Sequence, residues 1–354
     1  MAADEAKMND RTLARTLTAW ARSAARALPW RDAEPGRRDP YRVLVSELML
    51  QQTQVSRVAE RFAAFIGRFP DVRALAQADE ADVLAAWSGL GYYRRARHLH
   101  AAAKAIVERH GGAMPRDPAA LLALPGVGRY TAGAVASIAF DQPQPIVDGN
   151  VARVLLRLHG RSDPPTAPAT IAWSWARATD LVHSAKQPGS FNEAMMELGA
   201  IVCTPRSPAC DSCPIARECE AKRRGLQDEI PAPKPRAKQS PLFVGSVLAV
   251  DTRGRRLVER RPATGLWAGL WQPPSLERDD RPPEPRDLAE ALGLSIRGNQ
   301  PAERFTHQTT HRRVEFGVWH ADHARAGAGR VWRSRLQLES LALGSPQRRI
   351  LLGG

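Results

Sequence analysis

The sequence predicts a mainly helical first region followed by a smaller domain of mixed strands and helices. Ala, Leu, Arg and Glu dominate residues 8–222, Gly and Pro recur at short intervals, and strand-like alternation is absent. Four prolines stand in 228–241, which is typical of an extended, exposed linker. Beyond it, alternating apolar and polar residues indicate strands. We therefore expect a helical region at 1–227, a linker at 228–241 and an α+β domain at 242–354.

The charge of the chain predicts a polyanionic partner. Among 354 residues, 51 Lys and Arg face 37 Asp and Glu, which gives a formal net charge of +14. Nucleic acid and an anionic membrane surface both fit this balance. No stretch is apolar enough to span a membrane, and MAADEAKMND lacks the apolar run of a secretory signal. We expect a soluble, cytoplasmic protein that acts as a monomer.

The helical region carries helix-start signals and an apolar stripe. Asp79 and Asp117, the latter followed by Pro118, are expected to begin helices. Tyr41 is expected to pack in the core. Within 41–62, apolar residues recur at helical spacing. The stripe consists of Val43, Leu44, Leu48, Val55, Val58 and Phe62.

The four cysteines form one cluster in sequence: Cys203, Cys210, Cys213 and Cys219. A disulfide scaffold would scatter its cysteines through a short secreted chain. The spacing C-x6-C-x2-C-x5-C supplies four thiolates, which suit a [4Fe–4S] cluster or tetrahedral zinc. Zinc sites more often pair two short knuckles, and only one is present. The spacing therefore favours an iron–sulfur loop at 203–219.

The segment LPGVGRYTAGAVASIAF at 124–140 predicts a hairpin between two helices. The first helix is expected to end at Leu124 and the second to begin near Tyr130. Between them, Gly126, Val127 and Gly128 would form a tight turn. Glycines permit positive φ and let a phosphate approach backbone N–H groups. Such a contact positions DNA without reading its sequence.

Two carboxylates stand where they could take part in chemistry. Asp148 precedes a helix that is expected to start around Asn150, so it either caps that helix or lies near a developing cation. Glu47 falls on the apolar stripe, where desolvation would raise its pKa, as a general acid at neutral pH requires. The alternative for Glu47 is an ion pair with Arg42 or Arg57 at the edge of the stripe.

The second domain shows its own elements. The segments 242–251 and 255–261 are expected to be strands that flank a turn at 252–254. Residues 312–321 form another candidate strand, and 287–296 a short helix.

Together and in order, these motifs resemble the helix-hairpin-helix DNA glycosylase superfamily, in the [4Fe–4S] branch that includes endonuclease III. The most similar family is that of the MutY-type adenine glycosylases. The resemblance is strong over 8–225 and looser over 241–354. It rests on LPWR (28–31), SELMLQQTQV (46–55), GLGYYRRAR (89–97), LPGVGRYTAG (124–133), VDGNVARV (147–154), FNEAMMELGAIVC (191–203) and the four cysteines.

The resemblance implies a fold, a cofactor and a partner. It implies a mainly α catalytic region, with the helix-hairpin-helix at about 118–140 and a [4Fe–4S] cluster in the loop, followed by a Nudix-like domain. The implied partner is double-stranded DNA that contains adenine opposite 8-oxoguanine or guanine. The implied reaction is base-excision removal of that adenine.

The resemblance also implies the catalytic residues. Glu47 would protonate adenine at N7, and Asp148 would stabilise the oxocarbenium-like sugar, which is the two-carboxylate logic of glycoside chemistry. Tyr130 and Asn150 would support the site. Endonuclease III has a lysine at the place of Tyr130, and tyrosine cannot form a Schiff base, so a monofunctional glycosylase is expected.

Binding residues follow from the same resemblance. Trp30, Arg31 and Glu193 would line the pocket for the flipped adenine. Gln52 and Tyr92 would enter the DNA stack near the lesion.

Residues 242–354 would recognise 8-oxoguanine rather than hydrolyse nucleotides. RRPATGLWAGLWQPP matches the pattern of the family's Nudix-like domain, whereas the metal-binding carboxylates of the hydrolases are missing. Phe305, Thr306 and His307 stand at the place of the family's lesion-recognising loop.

Two alternatives remain open at this point. The first is a glycosylase for G:T mismatches or oxidised pyrimidines, because tyrosine at position 130 also resembles the thymine glycosylases. The second is a non-catalytic iron–sulfur protein that binds DNA.

Overall fold

The structure of the protein, a computed structural model, describes residues 9–233, 239–321, 324–327 and 329–353. The chain divides into two compact units. Unit 1 comprises Met1–Ala78 and Arg97–Pro235, and unit 2 comprises Asp79–Ala96 and Arg236–Gly354. Residues 79–96 thus group with unit 2, although they lie within the helical region in sequence. One reason is that the Tyr93 hydroxyl donates to the carbonyl of Leu343 at 2.7 Å. The domain boundaries expected from composition stay a prediction.

Helices build unit 1 and the 79–96 segment. Where the chain is described, none of them is long and apolar enough to cross a membrane. Residues Leu198–Val202 add one π-helical turn after α11. The helices are α1 (Asp10–Ala24), α2 (Pro40–Leu50), α3 (Val55–Arg68), α4 (Val72–Gln77), α5 (Glu80–Ala86), α6 (Arg94–His110), α7 (Pro118–Leu122), α8 (Arg129–Phe140), α9 (Gly149–Leu158), α10 (Pro168–Ser184), α11 (Pro188–Glu197) and α12 (Glu220–Arg223).

The apolar stripe over 41–62 is divided between two helices. Gln52 adopts φ 55°, the left-handed region, which interrupts the helix between α2 and α3. Leu44 and Phe62, one from each helix, are still almost fully buried. The periodicity therefore predicted the buried face correctly but not the break. Tyr41 is buried as expected, and its hydroxyl donates to the carbonyl of Phe69.

Capping explains where several helices begin. Asp117 caps α7 by accepting from the backbone N–H of Ala120 at 2.9 Å, and Asp79 is the N-cap residue of α5. Both predicted helix starts are confirmed. Helix α7 ends at Leu122, two residues before the predicted end at Leu124, and α8 begins at Arg129.

One hydrophobic core of unit 1 lies among α1, α9, α10 and α11. Leu17, Leu155, Leu181 and Phe191 each bury nearly all of their surface there. Burial of this kind fixes the first turn of α9 against α11, and both elements carry predicted site residues.

The expected linker is not exposed throughout. Ile230 is 1% exposed and packs with Leu156 and Ala221, and its carbonyl accepts from Arg157 Nε at 2.7 Å. The apolar side chain of Ile230 explains why this stretch folds back onto helix α9. Residues 234–238 of the expected linker lie outside the described residues.

Two sheets and three helices complete unit 2. The larger sheet has the order β4-β1-β7-β5, and β6 also pairs with β7. Strands β1 and β7 run parallel, and the other pairs are antiparallel. The smaller, antiparallel sheet has the order β3-β2-β8. The elements are β1 (Ser240–Leu248), β2 (Arg256–Arg260), β3 (Trp271–Gln272), β4 (Ser275–Arg278), α13 (Pro285–Leu292), β5 (Ile296–Arg297), β6 (Glu303–Gln308), β7 (Arg312–Ala321), β8 (Arg330–Arg333), α14 (Arg335–Glu339) and α15 (Ser345–Leu352).

Most of the expected elements of unit 2 are present. Strand β7 has the predicted bounds, and Gly254 closes the predicted turn with φ 72°. The predicted helix at 287–296 is too long at its end. Gly293 adopts φ 63° and terminates α13, so Ile296 belongs to β5 instead.

Candidate active site and iron–sulfur loop

A cavity of about 550 Å³ lies in unit 1 among α2, α8, α9 and α11. All seven residues that the family resemblance assigns to catalysis and to the base pocket line this cavity, although they come from five separate parts of the sequence. Gln52 lines it as well. The seven residues are Trp30, Arg31, Glu47, Tyr130, Asp148, Asn150 and Glu193.

Glu47 is a buried acid on α2. It is 6% exposed, and burial raises its pKa to about 7, although a hydrogen bond with Tyr130 works in the opposite direction. Of the two arginines considered as ion-pair partners of Glu47, Arg42 instead pairs with Asp32, at 3.1 Å. Glu47 therefore has the pKa of a group that can donate a proton at neutral pH.

Tyr130 lies in the first turn of α8 beside Glu47. Its single hydroxyl hydrogen is shared between Met196 Sδ, at 3.2 Å, and the carboxylate of Glu47. Burial, together with the negative charges of Glu47 and Asp148, raises the pKa of this phenol well above its usual value. Tyr130 therefore stays protonated, so it takes part in hydrogen bonds but does not give up its proton.

Asp148 caps α9 and also lines the cavity. Its Oδ1 accepts from the backbone N–H of Val151 at 2.7 Å. Burial raises its pKa, while the hydrogen bond from Val151 opposes the rise. The capping alternative is thus confirmed, and it leaves the catalytic role open, because the same side chain also faces the cavity.

Asn150 is held in place from two sides. Its Oδ1 accepts from Arg153 Nη2 at 2.9 Å. A Cβ added at Gly199 would lie 2.7 Å from Asn150 Cβ, so only glycine lets the π-helical turn approach α9 this closely.

The walls of the cavity combine an aromatic ring with a network of charged groups. Trp30 is 6% exposed and meets Phe62 edge to face, with 5.6 Å between ring centroids. Arg31 lies between Glu193 and Glu197, with N–O distances of 3.5 and 3.0 Å. Glu197 has no role in the sequence analysis. Its signal was available, since Glu193 and Glu197 are four residues apart on one face of α11.

The hairpin depends on one glycine rather than two. Gly126 has φ 73°, and a Cβ there would lie 2.3 Å from His98 Cβ. Gly128 is the extended N-cap of α8, and nothing lies within 4 Å of a Cβ added there. Val127 is buried. The turn can therefore offer backbone groups, but not the Val127 side chain, to a phosphate.

The two residues expected to enter the DNA stack share an uncommon backbone conformation. Gln52 has φ 55° and Tyr92 has φ 46°. Non-glycine residues held in this region cost about 1–3 kcal/mol and often mark functional positions. Tyr92 is half exposed, and its hydroxyl lies 3.2 Å from Thr310 Oγ1.

The four cysteines line one small cavity that Arg157 and Lys222 also line. Arg157 Nη1 donates to Cys203 Sγ at 3.3 Å and to the carbonyl of Thr204 at 2.6 Å, and Nη2 donates to the carbonyl of Pro205 at 3.2 Å. Four thiols beside two cations fit an anionic thiolate-bound iron–sulfur cluster. Arg157 carries no signal in the sequence for this position, because an arginine within an amphipathic helix is ordinarily a surface residue.

The expected lesion-recognising residues lie in strand β6 rather than in a loop. Their side chains alternate between the two faces of the sheet because a strand has a period of two. Phe305 stacks on Phe316 at 4.8 Å, while Thr306 is exposed. His307 lies 5.8 Å from Trp267, and burial lowers its pKa.

Three family models match the chain. Residues 45–177 match the HhH-GPD superfamily of base excision DNA repair proteins, and 246–353 match the NUDIX domain. Residues 203–219, which hold all four cysteines, match the iron–sulfur binding domain of endonuclease III. The chain therefore has the helix-hairpin-helix glycosylase fold, a [4Fe–4S] cluster and a Nudix-like domain. The expectations for fold class and cofactor are confirmed.

Curated relatives narrow the class to a family. The chain is 37% identical over 310 residues to human adenine DNA glycosylase, covering 74% of this chain and 57% of that protein. It is 45% identical over 215 residues to the adenine DNA glycosylase of Mycolicibacterium smegmatis (strain ATCC 700084 / mc(2)155), covering 59% of this chain and 69% of that protein. The chain belongs to the adenine DNA glycosylase family. It spans about half the length of the mammalian relatives that it matches.

A solved structure of a thermostable thymine-DNA glycosylase is also similar. It has a TM-score of 0.54 and 27% identity, and the match covers 61% of this chain and 97% of that chain. An endonuclease III bound to DNA, 22% identical with a TM-score of 0.50, shares the fold over 62% of this chain and 99% of that chain.

Proposed function

We propose that this chain is a monofunctional DNA glycosylase that hydrolyses the N-glycosidic bond of adenine opposite 8-oxoguanine or guanine. The proposal depends above all on one observation: Glu47, with a pKa near 7, shares a cavity with Asp148. Family membership and the net charge of +14 support it.

Glu47 is the proposed general acid. Because its pKa is raised to about 7, Glu47 can carry a proton at neutral pH, and it can protonate N7 of a flipped adenine and make the base a better leaving group. Extrusion is required because a base inside a duplex cannot reach a cavity of this depth.

Asp148 is the proposed stabiliser of the cationic sugar. Two carboxylates, one protonated and one ionised, divide acid and electrostatic roles as in other glycoside hydrolyses. Asn150 supports Asp148, and Tyr130 shares a hydrogen bond with Glu47. Since Tyr130 offers no amine, no Schiff base forms and the DNA strand is left intact.

The proposed DNA contacts surround this chemistry. Backbone groups of Gly126, Val127 and Gly128 bind a phosphate of the DNA. This contact positions the protein along the duplex without recognising the base sequence. Gln52 and Tyr92 enter the stack beside the extruded adenine.

In unit 2, Thr306 supplies a hydroxyl to 8-oxoguanine, with Phe305 and His307 beside it. Because Thr306 alone of the three is exposed, its hydroxyl carries most of the proposed discrimination.

The proposed cluster ligands are Cys203, Cys210, Cys213 and Cys219. When bound, the cluster would crosslink the 203–219 loop and fix its shape, with no part in breaking the bond. We further propose that the protein acts as a monomer on cytoplasmic DNA.

One assay tests the proposal. Duplexes with A opposite 8-oxoguanine, A opposite G, A opposite T and T opposite G are incubated with the protein, and half of each sample is treated with alkali. We expect cleavage only at mispaired adenine, and only after alkali. Cleavage at T opposite G would favour the thymine glycosylase alternative, to which the likeness with the thymine-DNA glycosylase structure points. Strand breaks without alkali would contradict monofunctional chemistry.

A further inference from the structure

Glu197 is a buried carboxylate at the edge of the cavity. It is 1% exposed, and its two oxygens accept four hydrogen bonds, three from Arg26 and one from Arg31. Burial would raise its pKa, yet the hydrogen bonds from the two guanidinium groups hold that pKa below its usual value. Glu197 is therefore an ionised anchor whose acceptor positions are already in use.

This anchor fixes Arg31. Arg31 Nη2 donates to Glu197 at 3.0 Å, and Nη1 donates to the carbonyl of Arg26 at 3.2 Å. Its Nε is buried and lies 3.5 Å from Glu193 Oε1, an ion pair that does not form a hydrogen bond. The Nε–H of Arg31 therefore lies in the wall of the cavity without a formed hydrogen bond, and a ligand that offers an acceptor there would supply one.

A second ion pair fixes Glu193. Arg38 is 7% exposed, and its two terminal nitrogens pair with the two carboxylate oxygens of Glu193, the Nη2–Oε2 pair at 2.9 Å. Arg38 Nε is itself tied to the carbonyl of Ala33 at 2.6 Å. Two parallel hydrogen bonds from a planar guanidinium fix both the position and the orientation of a carboxylate. A lysine cannot do this, because its ammonium group acts as a point charge.

We propose that Glu197 and Arg38 are positioning residues that set base specificity without touching the base. Glu197 holds Arg31 as a fixed donor, and Arg38 holds Glu193 as a fixed acceptor. Adenine offers the complement, namely an amino group at C6 that donates and ring nitrogens that accept. Guanine offers a carbonyl at C6, which would face the carboxylate of Glu193. This inference rests on the proposed adenine-excision function.

The test for Arg38 is a double-mutant cycle in single-turnover excision from A opposite 8-oxoguanine. Arg38→Met is expected to slow excision about 10- to 100-fold, since misplacing a contact by about 1 Å costs up to about 100-fold. In a Glu193→Gln background the same change is expected to slow it less than about twofold. Arg38→Lys, which keeps the charge without the fork, is expected to remain impaired.

A second readout separates positioning from general loss of structure. The ratio of excision rates for adenine and purine, which lacks the 6-amino group, is measured in each variant. Arg38→Met is expected to lower this ratio at least about tenfold, because a misoriented Glu193 can no longer accept a hydrogen bond from the 6-amino group. Arg177→Met is the matched control. It removes another two-pronged ion pair, with Asp10, away from the cavity, and should leave the ratio unchanged.

Glu197 is tested through Arg31. Glu197→Gln is expected to slow excision about 10- to 100-fold alone and less than about twofold in an Arg31→Met background. If Glu197→Gln does not fold, Arg26→Met tests the same link, because it removes the other guanidinium from Glu197.

Equal losses in both backgrounds, or an unchanged ratio of adenine to purine excision, would overturn the inference. If the unmodified protein fails to excise adenine, the proposed function itself fails. That outcome is distinct from a working enzyme whose variants behave additively.

Discussion

Replacing Glu47 with glutamine should stabilise the protein above neutral pH while removing its activity. The pKa of this buried carboxyl is about 7, against an ordinary 4.5. Below pH 4.5 the group is protonated in both folded and unfolded chains, so it costs nothing. Between pH 4.5 and about pH 7, the carboxyl loses its proton in the unfolded chain but keeps it in the folded chain. Above about pH 7, the folded chain must hold an unfavourable buried charge. Stability is therefore lost as the pH rises through this window, and glutamine avoids the loss.

The magnitude follows from the two pKa values. The difference between 4.5 and about 7 corresponds to about 3 kcal/mol at roughly 1.4 kcal/mol per pKa unit. For a unit of roughly 200 residues, each kcal/mol moves the melting temperature by about 2–4 °C. Part of this free energy is already lost at pH 5, so about 2.5 kcal/mol changes between pH 5 and pH 8, and the melting temperature of Glu47→Gln should rise relative to the wild type by about 5–10 °C over that range.

Thermal unfolding of both proteins at pH 5 and pH 8 measures this change. Glu108→Gln is the matched control, because Glu108 is an exposed carboxyl on α6 and the same substitution there removes no buried group. Excision is measured in parallel. The wild-type rate should fall about tenfold per pH unit well above pH 7, and Glu47→Gln should be inactive throughout. A constant melting difference at the two pH values, or normal turnover by the variant, would refute the reasoning.

Three further changes probe the rest of the site. Asp148→Asn should abolish excision while leaving DNA binding, and should change the melting temperature by less than about 3 °C, because asparagine also caps α9; thermal unfolding, a binding assay and single-turnover excision check this. Cys213→Ser should lower the iron content and the visible absorbance per chain, because an alkoxide is a poorer cluster ligand than a thiolate; an iron content equal to wild type would exclude Cys213 as a ligand. Thr306→Val should reduce the preference for 8-oxoguanine over guanine opposite adenine, and Thr306→Ser should retain it; competition between the two duplexes measures this, and equal preference in both variants would argue against the hydroxyl.

The sequence predicted those parts of the site that depend on local pattern. Cysteine spacing, the hairpin glycine Gly126 and the capping position of Asp148 are all set within a few residues of the chain. Glu47 was also placed correctly on a buried face, because helical periodicity reports burial. What periodicity could not report was the left-handed Gln52, since the turn between α2 and α3 carries no glycine or proline to mark it.

The ion pairs of Glu193 and Glu197 with arginines could not be predicted from the sequence, for a different reason. Arg38 and Glu193 are 155 residues apart, and Arg26 and Glu197 are 171 apart. Pairing over such distances is decided by the packing of α11 against neighbouring elements, which no local signal describes. Similarly, Phe305 could be aligned with a family motif, but only the structure shows its ring stacked on Phe316.

Four carboxylates border one cavity, and their guanidinium partners divide them into two kinds. Glu193 and Glu197 each have an arginine fork, which fixes them as parts of the cavity wall. Glu47 lacks such a fork, and burial together with the negative charges of Glu193 and Asp148 raises its pKa to about 7, so it can still carry a proton near neutral pH. Under the proposed function, the same arginines therefore serve both specificity and catalysis. By binding Glu193 and Glu197 and not Glu47, they keep one acid in the cavity able to protonate a base at neutral pH.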